Sequence, residues 1–254
     1  MILHAEQAGD GTPVALLHGL FGQGRNLGVA PRALAATHRV ISLDLRNHGA
    51  SPHAAGMEYR VLASDVLETL DALGALPASL LGHSMGGKTA MAAALLRPDA
   101  VTRLLVADIA PVAYAGHGNA AIVAALRNVK LGAATTRADV MAALQDVVPD
   151  AQVRAFLAQN FVPGAAPRWR IGLAEIAAAI GDLEGWPDFT GAVYGGVVLF
   201  VAGGASDYVQ PAYFDMMRAL FPAYRLTVLD GAGHWLHAQQ PAAFAAAAAG
   251  FLGS

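Results

Sequence analysis

The chain of 254 residues contains no cysteine, which excludes disulfide bonds and metal sites built from thiolates. It also contains little lysine, because Lys88 and Lys130 are the only two. The arginines are scattered, so the sequence presents no basic stripe that would release counterions from a phosphate backbone. These absences argue against nucleic acid as a partner and against binding to an anionic membrane surface.

Long hydrophobic runs are missing as well. The first residues, MILHAEQAGDG, lack the basic segment and the following apolar segment of a signal peptide. The alanine-rich stretch AAFAAAAAGFLG is too short to span a bilayer, and Pro241 at its start is typical of the first turn of a helix. We therefore expect a cytoplasmic protein with no membrane span, a location that the lack of cysteine also suits.

Hydrophobic residues make up 55% of the chain and charged residues 14%, with a formal net charge of -3. This balance is typical of a compact folded protein and not of a disordered one. The length suffices for one large α/β domain, or for one domain with a sizeable insertion. Two smaller domains are also compatible with the length alone.

Short apolar or β-branched runs alternate with longer segments in which apolar residues recur at helical spacing. This alternation predicts a mostly parallel sheet with helices on both faces. The predicted strands are Val14–Leu17, Val40–Leu43, Ser79–Leu81, Arg103–Ala107, Gly196–Val201 and Arg225–Leu229, with a weaker antiparallel edge strand at Ile2–Glu6. The predicted core helices are Arg32–Ala36, Glu58–Leu73, Gly86–Leu96 and Pro211–Leu220.

The alternation is interrupted once, between Pro111 and Thr190, where helical patterns continue without a convincing strand. We interpret this segment as a helical cap inserted between two strands of the sheet. The predicted domains are therefore an α/β core formed by residues 1–110 and 191–254, and a cap formed by residues 111–190.

One turn carries a candidate nucleophile. The stretch Gly82-His83-Ser84-Met85-Gly86 matches the pattern G-x-S-x-G and lies between a predicted buried strand and a predicted helix. In this setting the glycines permit a sharp turn that exposes the Ser84 hydroxyl. The pattern also occurs by chance, and the alternative interpretation is a glycine-rich connection whose serine caps the helix.

A serine hydroxyl is a weak nucleophile near neutral pH and requires a base, which in turn requires a group to orient it. His234 follows the last predicted strand on the small-residue loop 231–233, and strand ends of a parallel sheet converge in space. We therefore predict His234 as the base and expect His237 to be a wall or surface residue. Structural roles are expected for four further histidines, namely His4, His38, His53 and His117.

Two aspartates are candidates for the acid that orients His234. Asp108 ends the predicted strand that follows the nucleophile, and Asp207 comes after the next strand. Either carboxylate is suitably placed to hold the base. Strand-end aspartates also cap turns, so one of the two is expected to have that role.

Two backbone N–H groups are required to stabilise the negative charge of a tetrahedral intermediate. We expect one from Met85, directly after the nucleophile, and the other from Leu20, in the loop after the first buried strand. That loop, GLFGQG, lacks the lysine and the spacing of a phosphate-binding loop. No acidic residue completes a dinucleotide-binding pattern either.

Together these motifs resemble the α/β-hydrolase superfamily. The stretches LHGLFGQGRNL, DLRNHGASPH, LLGHSMGGKTAM, DIAPVAY and GAGHWLHA further resemble a subgroup of small bacterial carboxylesterases and their mitochondrial relatives. In that subgroup the acid position after the penultimate strand is often a serine, here Ser206, while the aspartate matching Asp108 is thought to serve. The resemblance therefore favours Asp108, although this chain departs by carrying Asp207 beside Ser206.

The resemblance implies an α/β-hydrolase fold and a serine hydrolase of small-molecule acyl esters that uses neither metal nor cofactor. Acyl thioesters are further candidate substrates. The same scaffold supports other chemistries, so a carbon–carbon bond hydrolase and a haloperoxidase-like enzyme are alternatives. A ligand-binding receptor with little turnover is an alternative of another class. The sequence does not determine the oligomeric state.

The cap is expected to provide an apolar roof over the nucleophile, although most of its aromatic residues are expected to pack the cap itself. The candidate substrate-binding residues are Phe21, Tyr114, Phe161, Trp169, Trp186 and Trp235, with Phe156 as a further aromatic of the cap. Three cations of the motif loops are candidates to meet an anionic substrate. Of these, Arg46 is expected to hold its own turn and Lys88 to pack near the helix after Ser84, whereas Arg25 has no assigned role.

Overall fold

The structure is a computed structural model that describes residues 1–114, 116 and 118–253. The strands, in chain order, are β1 (Ala5–Ala8), β2 (Thr12–Leu17), β3 (His38–Leu43), β4 (Ala78–His83), β5 (Val101–Ala107), β6 (Phe161–Val162), β7 (Arg168–Trp169), β8 (Val197–Gly203) and β9 (Tyr224–Leu229). The helices are α1 (Ala30–Leu34), α2 (Tyr59–Ala72), α3 (Met85–Leu96), α4 (Asn119–Asn128), α5 (Arg137–Ala143), α6 (Ala151–Ala158), α7 (Leu173–Ala178), α8 (Ile180–Glu184), α9 (Phe214–Leu220), α10 (Leu236–Gln239) and α11 (Pro241–Leu252).

Seven strands form one sheet in the order β1-β3-β2-β4-β5-β8-β9. Strand β1 runs antiparallel to β3, and the remaining neighbours are parallel. The carboxyl ends of β2, β4, β5, β8 and β9 therefore lie at one edge of the sheet. This is the edge at which an open α/β fold presents its functional loops.

The central strands are buried on both faces because their alternate side chains enter two different hydrophobic clusters. Leu80 and Leu104 belong to the cluster that includes residues of α2 and α3, whereas Leu81 and Leu105 belong to the cluster that includes residues of α1 and α11. Burial of both faces produces consecutive apolar residues, which is the pattern at positions 80–81 of β4 and 104–107 of β5.

The predicted core elements are present with shifts of a few residues. The antiparallel edge strand β1 lies a few residues after the predicted Ile2–Glu6. The predicted helix Pro211–Leu220 begins with a 3-10 turn, Pro211–Tyr213, before α9. Among the described residues, no helix is both long and apolar enough to cross a membrane.

The segment between β5 and β8 carries α4 to α8 and packs on the same hydrophobic cluster as α2 and α3. It also contains a short hairpin, because β6 and β7 pair antiparallel. The sequence analysis expected no strand here. Strands of two residues are too short to show an alternating pattern, so only tertiary contacts reveal them.

Candidate active site

Ser84 lies on the sharp turn that joins β4 to α3, with a positive φ of 54°. A Cβ atom at Gly82 would lie 2.2 Å from the carbonyl oxygen of Gly86, and one at Gly86 would lie 2.2 Å from that of Leu17. Both positions therefore exclude any side chain. The tight packing holds Ser84 in a backbone conformation that non-glycine residues rarely adopt and presents its side chain above the sheet edge.

His234 follows β9 and reaches Ser84 across the sheet edge. Its Nε2 atom lies 3.0 Å from Oγ of Ser84, and its Nδ1 atom lies 2.8 Å from Oδ2 of Asp108. The Tyr208 ring stacks on the imidazole at a centroid distance of 3.9 Å, and Nε2 of His83 donates to the His234 carbonyl at 2.8 Å. His234 is thus held by a stacked ring on its imidazole face, by hydrogen bonds at both ring nitrogens and by a hydrogen bond to its backbone carbonyl.

Asp108 is fully buried directly after β5 and also has a positive φ, 51°. Its Oδ1 accepts a hydrogen bond from the backbone N–H of Gly203 at 2.8 Å. Its Oδ2 accepts hydrogen bonds from the Ser206 hydroxyl at 2.5 Å and from Nδ1 of His234 at 2.8 Å. An ionised carboxylate only accepts, so Nδ1 of His234 carries the proton and Nε2 is free to accept one from Ser84. These bonds supply the polar contacts that a buried carboxylate requires.

Asp207 does not reach this cluster. Its side chain is exposed after β8, and within the described part of the chain its carboxylate makes no hydrogen bond or ion pair. The turn that follows Gly203 directs Ser206 towards Asp108 and the next residue to solvent. Of the two aspartates that the sequence left open, the structure brings only Asp108 to His234.

The two predicted oxyanion donors, Leu20 and Met85, border the same cavity as Ser84. In the loop after β2, the N–H of Phe21 donates to His48 and the N–H of Gly22 donates to the Gly19 carbonyl. The N–H of Leu20, between Gly19 and Phe21, has no hydrogen-bond partner among the described residues. Met85 is the first residue of α3, where an N–H has no partner within the helix.

Two buried histidines hold this loop, and the sequence analysis did not assign them. Nε2 of His18 accepts the Leu45 N–H at 2.9 Å, and Nε2 of His48 accepts the Phe21 N–H at 3.1 Å. Burial lowers the pKa of His18 and lowers the pKa of His48 to about 3. Both imidazoles are therefore neutral near pH 7, as acceptors must be.

The cavity above Ser84, here called the Ser84 cavity, has a volume of about 260 Å³. Four of the aromatic residues singled out in the sequence border it, and the sequence analysis missed two further tyrosines. The aromatic lining consists of Phe21, Tyr59, Tyr114, Phe156, Tyr208 and Trp235. Burial raises the pKa of Tyr208 to about 12, so its phenol is un-ionised beside His234.

The other three candidate substrate-binding residues lie outside the Ser84 cavity. Phe161 is fully buried, and its ring packs edge-on against Trp169 across the β6–β7 hairpin. Trp186 packs against Phe189 and Tyr59. Phe161 thus fills the interior, whereas Trp169 and Trp186 are half-buried. No helical or strand pattern in the sequence separates such residues from cavity residues.

Two of the motif cations, Arg46 and Arg25, do not border the Ser84 cavity. Arg46 forms a buried bidentate pair with Asp65, with N···O distances of 2.7 and 2.9 Å, and also donates to the Ala55 carbonyl. Arg25 is exposed and lies outside the Ser84 cavity. Lys88, in contrast, borders the cavity, and burial lowers its pKa to about 7.

The remaining histidines that the structure describes lie away from the Ser84 hydroxyl. His4 contacts Asp44, His38 contacts the Leu252 carbonyl and His53 contacts the Arg170 carbonyl, whereas His117 lies outside the described residues. His237 is buried behind the site, 4.5 Å from the His83 ring between centroids. Burial lowers the pKa of His237 to about 4.

A family model described as the alpha/beta hydrolase family matches residues 14–247. The chain is 38% identical over 237 residues to "Esterase YbfF" of Escherichia coli (strain K12), which covers 93% of this chain and 91% of that protein. It is 39% identical over 256 residues to "sn-1-specific diacylglycerol lipase ABHD11" of Mus musculus, which covers 96% of this chain and 82% of that protein. A solved structure titled "Marine microorganism esterase" matches with a TM-score of 0.93 at 34% identity, covering 99% of both chains.

Proposed function

Because this chain belongs to the alpha/beta hydrolase family as an esterase-type enzyme, we propose that it hydrolyses small acyl esters with Ser84 as the nucleophile. The observation that carries the proposal is the continuous line of hydrogen bonds from Ser84 through His234 to Asp108. This arrangement activates a hydroxyl at neutral pH, because the base accepts its proton while the buried carboxylate stabilises the imidazolium that forms.

The reaction begins with attack of Ser84 Oγ on the acyl carbonyl carbon as His234 Nε2 takes the hydroxyl proton. The carbonyl oxygen becomes an oxyanion, which accepts hydrogen bonds from the backbone N–H groups of Leu20 and Met85. His234 then gives its proton to the leaving alcohol as the carbon–oxygen bond breaks. Water, deprotonated by His234, attacks the acyl enzyme and releases the acid and free Ser84.

Ser206 supports the position of Asp108 in this scheme. Its hydroxyl donates to the same Oδ2 atom that holds His234, at 2.5 Å. The bond gives a hydrogen-bond donor to a fully buried carboxylate, which otherwise lacks solvation. Its role is positioning, because the hydroxyl does not contact the reacting atoms.

We further propose that residues 111–190 act as a cap over the Ser84 cavity. The cap side of the cavity includes Tyr114, Phe156 and Leu183, all with apolar surfaces suited to an acyl chain. A cavity of about 260 Å³ fits a short acyl ester in a partly dry environment, in which the oxyanion donors act more strongly. The same acyl-enzyme chemistry accommodates an acyl thioester, since a thiolate leaves more readily than an alkoxide.

The test compares Ser84→Ala with the parent enzyme on p-nitrophenyl esters of graded chain length and on acyl-CoA thioesters of the same lengths. We expect Ser84→Ala to lose about a millionfold in kcat on a cleaved ester, the order found when a catalytic serine is removed. Ser64→Ala, which changes an exposed serine of α2, is the matched control.

Retention of turnover by Ser84→Ala would contradict the nucleophile assignment. Ligand binding by the parent enzyme without a burst of product and without turnover would instead indicate a receptor. The ratio of kcat/KM for ester and thioester at each chain length measures the preferred leaving group.

A further inference from the structure

Lys88 brings a cationic side chain into the wall of the Ser84 cavity, although the residue is only 1% exposed. Its backbone N–H donates to the Ser84 carbonyl at 3.0 Å, one turn along α3. The side chains of Ser84 and Lys88 both border the Ser84 cavity. An acyl group bonded to Ser84 therefore shares this cavity with Lys88.

The ammonium group is held at one end of the cavity. Nζ donates to the Gly185 carbonyl at 2.6 Å and lies 3.5 Å from the Glu184 carbonyl, just after α8. It also lies 5.2 Å from the centre of the Tyr59 ring and 4.8 Å from that of Tyr114. These neighbours orient the ammonium group through carbonyl dipoles and ring faces.

A full counter-charge is missing from this arrangement. Within the described ranges, Nζ makes no ion pair with a carboxylate, and the Glu184 side chain acts on it only through longer-range attraction. Burial of an ammonium group without a paired anion is costly, which is the cause of the lowered pKa of Lys88. An anionic oxygen entering the cavity would supply the missing charge and bind to a group that is already oriented.

We propose that Lys88 binds a carboxylate on the acyl part of the substrate, so that the enzyme prefers half-esters of dicarboxylic acids to neutral esters of equal length. This inference rests on the proposed function, because the scissile carbonyl must lie at Ser84. The acyl side is assigned because the leaving group must depart next to Nε2 of His234, which protonates it. Lys88 instead faces Tyr59, Tyr114 and the end of α8.

The test uses pairs of p-nitrophenyl esters that differ only at the far end of the acyl chain. Mono-p-nitrophenyl glutarate is paired with the pentanoate and mono-p-nitrophenyl adipate with the hexanoate, after subtraction of the uncatalysed rate. The measured quantity is the ratio of kcat/KM within a pair. We expect the parent enzyme to favour at least one carboxylate ester by about tenfold or more, the discrimination typical of a charge-assisted hydrogen bond.

Lys88→Met keeps the length of the side chain and removes its charge. We expect it to lower the ratio by about 10- to 100-fold. Lys130→Met makes the same change at an exposed lysine and should leave the ratio unaltered.

A purely structural Lys88, one that only joins α3 to the end of α8, predicts a different result. Lys88→Met would then slow both members of a pair equally and leave the ratio unchanged, which would overturn the proposal. A parent enzyme with no preference within either pair would also overturn it. In 4-acetoxybenzoate the leaving group carries the carboxylate. If Lys88→Met lowered kcat/KM only for this ester, the result would refute the placement of the bound carboxylate on the acyl part.

Calorimetry separates this inference from the hydrolase proposal, because it requires no turnover. Glutarate and adipate are titrated into Ser84→Ala and into Ser84→Ala/Lys88→Met, with pentanoic amide as the neutral probe. Binding of a dicarboxylate that is lost in the double variant supports a carboxylate site even if no ester is cleaved. Equal binding, or no binding, in both proteins contradicts it.

The charge of Lys88 also predicts the pH dependence of the ratio. Among the described residues, the titratable side chains at this end of the cavity are Glu184, Tyr59 and Tyr114, and burial raises the pKa of both phenols. Since the pKa of Lys88 is about 7, its cationic form is lost as the pH rises through that value. The preference for the carboxylate ester should therefore fall above pH 7, whereas any pH effect common to both esters cancels in the ratio.

Discussion

Nδ1 of His234 lies 2.8 Å from Oδ2 of Asp108, although the two residues are 126 positions apart in the chain. The contact forms because β5 and β9 end at the same edge of the sheet, with β8 between them. Gly203, the last residue of β8, donates its N–H to the same carboxylate at 2.8 Å. Three strand ends thus determine the orientation of one imidazole.

Asp108→Asn should reduce kcat by about four orders of magnitude, because an amide can donate to Nδ1 and hold His234 in the wrong tautomer. The measurement is steady-state hydrolysis of whichever p-nitrophenyl ester the enzyme cleaves best. Asp207→Asn is the matched variant and should stay within a fewfold of the parent enzyme. A larger loss in Asp207→Asn than in Asp108→Asn would show that the acid is assigned to the wrong residue.

Phe156→Ala should shift the preferred ester to longer acyl chains. The Phe156 ring packs against Trp235 at 4.6 Å between centroids, and both rings separate the Ser84 cavity from a neighbouring groove of about 250 Å³. Removal of the ring joins the two spaces. The check is kcat/KM across a chain-length series, with Phe214→Ala, outside both spaces, as control. An unchanged optimum would indicate that acyl chains do not approach this wall.

Gly86→Ala should destabilise the protein by about 2 kcal/mol or more, as overpacking of a rigid site does. Its Cβ would lie 2.2 Å from the Leu17 carbonyl oxygen and 2.6 Å from that of His18, and both are backbone atoms. Gly250→Ala is the comparison, because nothing lies within 4 Å of that Cβ position in α11. It should stabilise the protein by up to about 1 kcal/mol through helix propensity. Urea unfolding measures both, and equal effects would refute the steric account of the turn.

Stability should fall on acidification, in part because of His48. Its folded pKa is about 3 and its ordinary value is 6.5, so the unfolded chain binds more protons between these values. The free energy of unfolding therefore decreases as the pH falls from 6.5 towards 3, by at most about 1.4 kcal/mol per pH unit for one group. His48→Gln, a neutral replacement, should make this decline shallower.

Urea midpoints between pH 4 and pH 7 provide the measurement for His48→Gln, and His53→Gln at an exposed position is the matched control. Part of the decline should persist in the variant, since burial also lowers the pKa values of His18, His83 and His237. A slope identical to that of the parent protein would mean that His48 does not contribute to acid sensitivity.

The sequence by itself determined the fold class. Strands β4 and β5 contain consecutive apolar residues, at positions 80–81 and 104–107, because both faces of the sheet are covered there, and that pattern is local. The glycines around Ser84 are likewise readable, because a turn without room for a Cβ atom admits no other residue. The glycine loop after β9 also indicates where His234 emerges.

Only the tertiary structure decided which side chains meet. Asp108 and Asp207 both follow strands, but Asp108 contacts His234 whereas the turn after Gly203 leaves Asp207 exposed to solvent. Phe156 borders the cavity while Phe161 fills the interior, although both are aromatic residues of one segment. Strand and helix periodicities record which face of an element is buried. They do not record which distant element covers that face, because contacts between residues far apart in the chain depend on the assembled packing.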